Sequence, residues 1–158
     1  MQSDSVSIVT TKAASQREVA GLGQFVLTDD EMWDAKIDVN GSAVEVSLHT
    51  FGYDFETIAK YAQSVIANNA IPRKKIEQDL ESGLRSMEWK FRKFKFEKEI
   101  NIPRFEIKSM LFGRQIDGTD LILDINLRYP NDKSRWLLSY SGIDHGSLNW
   151  IPASAFSD

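Results

Sequence analysis

The chain of 158 residues is long enough for one domain with a substantial core, and its 42% hydrophobic and 27% charged residues are those of a soluble globular protein. The complete absence of cysteine excludes disulfides, thiolate chemistry and cysteine-based zinc sites. The net charge of −4 is segregated: residues 1–71 hold four Lys or Arg against ten Asp or Glu, residues 72–108 eleven against seven, and residues 109–158 four against six.

Residues 1–22 are rich in Ser, Thr, Ala and Gln with little periodicity, and read as a mobile N-terminal arm in which Val6, Ile8 and Val9 offer a short edge strand. The start of the chain lacks a basic flank and an apolar run, so no signal peptide is expected. No apolar run approaches the roughly 20 residues of a bilayer span. These features predict a cytoplasmic protein that does not engage a membrane. Residues 23–152 read as a single domain and residues 153–158 as a C-terminal tail.

The domain opens on a short β-like run, Gln24 to Thr28, and a polar turn, Thr28 to Glu31. Met32 to His49 then closes on itself. Asn40-Gly41 is the strongest short hairpin signal, because a type I′ turn needs positive φ at both central positions. Folding there pairs Val39 with Ser42, Ile37 with Val44, Ala35 with Val46 and Trp33 with Leu48, while Lys36 meets Glu45 on the other face. A shift of one residue would scramble both faces, so turn and pattern specify the same register.

At Asp54 the period changes to that of a helix. Asp54 can accept from the first free amides, and Phe55, Ile58, Ala59, Ala62, Val65 and Ile66 follow on one stripe, with Asn68-Asn69 as the end. Pro72 suits the first turn of a second helix, with Ile76, Leu80, Leu84, Met87 and Phe91 along one face. Arg73, Lys74 and Lys75 sit at the end where the macrodipole disfavours cations. Helix stability alone does not account for them.

Beyond Pro103 the pattern is β again: Phe105 to Phe112, Leu121 to Leu127 and Arg135 to Tyr140, with Leu148 to Ile151 a further candidate. Asp117-Gly118 and Pro130-Asn131-Asp132 mark turns. Closing on Asp117-Gly118 aligns Phe112 with Leu123 and Met110 with Ile125 but sets Leu111 against Asp124. A one-residue bulge would instead set Leu111 against Ile125. The predicted order is β-β-β-α-α-β-β-β with a candidate last strand. The fold class that buries these faces is α+β, a single antiparallel sheet with two helices packed on one face.

Two histidines, His49 and His145, have no metal-ligand spacing, and no metal or other cofactor is expected. Ser139, Ser141 and Ser147 flank Asp144-His145, yet no elbow is present to hold a nucleophile, and the stretch reads as a turn. No phosphate-cradling glycine motif occurs. Two stretches carry binding chemistry. Trp89 to Lys98 interleaves rings with Lys90, Arg92, Lys93 and Lys95, the combination that lets a protein neutralise phosphates and stack bases of a single strand; as an ordinary amphipathic element, its rings would be core. Asp29, Asp30, Glu31, Asp34 and Asp38 gather on one turn and one hairpin, where they would serve solubility or dock a basic protein.

The run Gly23-Gln24-Phe25, Trp33 eight residues on, the closing strand Val44-Glu45-Val46-Ser47-Leu48, the helix from Asp54, Phe105 to Met110 and Asp117-Gly118 together resemble a group of small bacterial domains of unknown function. Some of these are encoded near polymorphic toxin systems and are associated with immunity. The resemblance spans about Gly23 to Trp150, with the acidic, tryptophan-containing stretch before the last strands present only as Asp132 to Trp136. It implies no catalytic residues. Together these readings predict a non-enzymatic, immunity-like interaction domain whose acidic face binds a basic, toxin-like protein. Single-stranded nucleic-acid binding through residues 89–98 is the alternative, and an enzyme with an unrecognised site the third. The pattern specifies no oligomeric state.

Overall fold

Asn40 and Gly41 hold φ of +53° and +85°, the conformation their turn requires, and the Asp38 carboxylate accepts the Gly41 amide at 2.9 Å. From this turn the hairpin of β3 (Met32–Val39) and β4 (Ser42–His49) zips in the expected register through all eight pairs, from Val39 opposite Ser42 to Met32 opposite His49. The computed structural model describes residues 15–29, 31–50, 54–87, 101–114, 120–144 and 146–153. At the base of the hairpin, the Thr50 amide and hydroxyl both donate to the Glu31 carbonyl, at 2.8 and 3.1 Å.

The protein is α+β, with one sheet of eight strands and two helices. Before the hairpin come β1 (Gln16–Val19) and β2 (Gly23–Asp29); after the helices come β5 (Glu106–Arg114), β6 (Leu121–Arg128), β7 (Arg135–Ser141) and β8 (Gly146–Ile151), and the strands lie side by side in chain order. The expectation of an antiparallel sheet fails at one place: β4 and β5 run parallel, pairing Val46 with Met110 and Leu48 with Phe112. Parallel neighbours need a long crossover, and the connection from Thr50 to Phe105, with both helices in it, supplies one.

β1 lies within the stretch read from sequence as an arm. Val19 and Leu22 are buried, and the Arg17 guanidinium stacks 4.1 Å from the centroid of the Phe55 ring while pairing with Glu56 at 3.1 Å. Apolar burial and this cation–π contact hold a four-residue strand that has no alternating pattern of its own. Of the two registers open to β5 and β6, the one that sets Phe112 opposite Leu123 and Leu111 opposite Asp124 is formed, and the irregularity sits at Lys108, between Ile107 and Ser109.

Asp54 caps α1 (Phe55–Ala62), its carboxylate accepting the Glu56 amide at 3.2 Å, and the helix widens into a π turn, Gln63–Ala67, before Asn69 reverses the chain at φ +57°. Pro72 stands just before α2 (Arg73–Ser86), where its missing amide costs nothing. Both helices touch the same face of the sheet. Phe55 meets Trp33 edge-on at 5.1 Å and Tyr61 meets Phe112 at 5.3 Å, while Asp79 of α2 accepts the Tyr140 hydroxyl at 2.7 Å. Phe112, Leu123 and Tyr140 stand in one cross-strand row, so these contacts share a side. The basic start of α2 also finds its explanation: Arg73 donates to the Phe105 carbonyl and pairs with Glu77, and Lys75 pairs with Asp79 at 3.1 Å. Specific partners outweigh a macrodipole penalty of a few tenths to about 1 kcal/mol.

Candidate functional site

Because side chains alternate along a strand, Trp33, Ala35 and Ile37 of β3 face the helices and the residues next to them point away. Asp34, Lys36 and Asp38 therefore share the opposite face of the sheet, and Glu45, opposite Lys36, joins them from β4. Among the described residues no helix or strand covers this face. One row crosses six strands on it: Asp34, Ser47, Leu111, Asp124, Ser139 and Ser147 are successive cross-strand neighbours. Within the row Ser139 donates to Asp124 at 2.6 Å.

The five acidic residues singled out in the sequence have different fates. Glu31 lies exposed in the turn between β2 and β3 with φ +55°. Asp38 is exposed and uses one oxygen to brace the Asn40-Gly41 turn. Asp34 is half-buried: Thr28 donates to Oδ2 at 2.7 Å, and Oδ1 is shielded from solvent with no hydrogen bond among the described residues. Asp34 thus holds β2 to β3 more than it offers charge to a partner. Asp29 ends β2, and Asp30 lies outside the described residues. The sequence pattern already set Glu45 opposite Lys36 on this face, though not among the candidate site residues, whereas it missed Asp124, which needed the parallel β4–β5 junction that puts it in the row of Asp34.

The basic-aromatic stretch with Lys90, Arg92, Lys93 and Lys95 lies outside the described residues, as does His145. Among the described residues no group of three or more His, Asp or Glu is placed to hold a metal ion, and no helix is long and apolar enough to cross a membrane. The perturbed groups are structural. Burial, with a smaller contribution from Asp124, raises the Tyr61 phenol above its ordinary value. Burial, then the Asp79 bond and charge, raises Tyr140. Lys108, donating to Glu106 at 2.7 Å, holds that exposed carboxyl low. No protein-family profile, curated protein or solved structure matches the chain.

Proposed function

We propose that the protein is a non-enzymatic interaction domain that docks a basic protein through the β3–β4 hairpin and its open face, with an immunity-like role against a toxin-like partner in bacteria. The observation that supports this reading is the placement of the exposed residues Asp38 and Glu45 on one hairpin and of Glu31 in the turn at its base, on or beside a face that no described helix covers. Charge at the rim of an interface acts mainly by steering encounter, so its removal lowers the association rate and leaves the fold unharmed.

The test is the double substitution Glu31→Gln and Glu45→Gln, applied to the partner recovered from lysate of the source organism. Both positions are exposed, so the melting curve is expected to move by less than about 0.5 kcal/mol. Association should slow by about three- to tenfold at low ionic strength and by less as salt is added. Equal on-rates at low salt would reduce the carboxylates to solubility.

A further inference from the structure

Asn40 is the one asparagine in the chain followed by glycine, and both residues are exposed at the tip of the β3–β4 hairpin. That dipeptide carries covalent chemistry of its own. The glycine nitrogen can attack the side-chain amide carbon of the residue before it, because no side chain on the glycine blocks the approach. A bond forms between the Gly41 nitrogen and Asn40 Cγ, the Cγ–Nδ2 bond breaks, and ammonia leaves with the proton from Gly41. Water then opens the cyclic imide at either carbonyl and leaves an aspartate or an isoaspartate at position 40. No other co-reactant is needed.

The closed hairpin opposes this attack in two ways. The Gly41 amide must lose its proton, yet it donates that proton to Asp38 Oδ1 at 2.9 Å, and the negative carboxylate opposes deprotonation. Ring closure also needs rotation about the Asn40 Cα–C bond, which the turn holds fixed. Its φ values are +53° at Asn40 and +85° at Gly41, and Val39 pairs with Ser42 across it. Packing adds no protection, since a Cβ at Gly41 would meet nothing within 4 Å. We propose that Asn40 is a deamidation site of the native protein, reached when the turn opens, and that Asp38 is the side chain that keeps it shut. The two products differ in consequence. An aspartate adds a negative charge to the hairpin and keeps the turn, since Asp-Gly suits type I′ as Asn-Gly does. An isoaspartate inserts a backbone carbon into a two-residue turn whose length sets the register of β3 and β4. The site does not depend on what the hairpin docks.

The test ages the full chain at mildly alkaline pH in water enriched in heavy oxygen, both folded and in denaturant. Mass spectrometry of the peptide carrying position 40 then reads exchange of the amide for a labelled acid. The folded wild type should react at Asn40 about tenfold or more slowly than the unfolded chain. It should still react there faster than at Asn69 and Asn131, which share exposure and positive φ but precede Ala70 and Asp132. Asp38→Ala, at an exposed position, should raise the folded rate about three- to tenfold and leave the unfolded rate unchanged. Asp38→Asn keeps an oxygen that can accept from Gly41, and should raise it less. Hydrogen exchange at the Gly41 amide reads the opening directly and should quicken with deamidation in Asp38→Ala. Exchange at the buried Val46 should stay as in wild type, which separates opening of the turn from global unfolding. Three results would overturn the proposal: equal folded and unfolded rates at Asn40, an unchanged folded rate in Asp38→Ala, or reaction at Asn69 or Asn131 as fast as at Asn40.

Discussion

Gly41 shows how one residue can hold a register. A Cβ built there would meet nothing within 4 Å, so a side chain has space but the wrong backbone, at φ +85°. Gly41→Val should therefore destabilise by backbone strain alone, about 1–2 kcal/mol, and leave the slope of a denaturant curve unchanged. Trp33 at the far end of the hairpin is only 8% exposed and packs edge-on against Phe55. Trp33→Ala should cost about 3–5 kcal/mol in the same measurement, and a variant as stable as wild type would place the ring outside the core. Both residues were legible because a turn dipeptide and a period-two pattern are local signals. Asp34 was not. Its apolar neighbours announce the face it lies on, but nothing in the chain announces that Thr28 will reach it across the β2–β3 ladder.

At the scale of elements, the same contrast recurs. The helix from Asp54, the stripe of Ile76, Leu80 and Leu84, and three of the late strands follow from periodicity, and all are formed. The direction of β5 does not follow, because strand pattern is blind to polarity and the long connection from Thr50 to Phe105 permits either. The short β1 escapes pattern altogether, being held by Phe55 and Glu56 of α1. Gly83 belongs to this scale as well. In the middle of a helix it looks like a weak point, and Gly→Ala there should ordinarily stabilise by about 1 kcal/mol. Yet a Cβ at Gly83 would lie 2.5 Å from the Cβ of Leu148, two atoms fixed to their backbones, so α2 and β8 would have to part. Gly83→Ala is therefore expected to destabilise by about 1–3 kcal/mol, and a second change, Leu148→Gly, removes the opposing Cβ, so the double variant should lose less than the two single losses added together. A stabilised Gly83→Ala protein would show that α2 does not seat on β8 this closely.

At the scale of the whole molecule, helices pack on one side of the sheet, no described helix or strand covers the other, and two buried phenols tie the packed side together. Tyr61 of α1 donates to the Gly142 carbonyl just beyond β7, and Tyr140 of β7 donates to Asp79 of α2. Both are nearly inaccessible, at 6% and 1% exposure, and both titrate above an unfolded tyrosine's value near 10. The sign of the linkage follows from proton binding. Below about pH 10 folded and unfolded chains both hold the two protons, and stability is unaffected by them. Above it the unfolded chain releases them while the folded chain keeps them, so unfolding is favoured by about 1.4 kcal/mol per pH unit for each phenol until the folded values are reached. Denaturant midpoints measured upward from neutral pH should therefore stay level as far as these groups are concerned and then fall steeply from about pH 10. Tyr140→Phe leaves Asp79 paired with Lys75 and removes one of the two titrations, so its alkaline slope should be roughly half that of wild type. An undiminished slope would mean that the Tyr140 hydroxyl ionises as freely in the folded protein as in the unfolded one, and that α2 does not seal this end of the sheet.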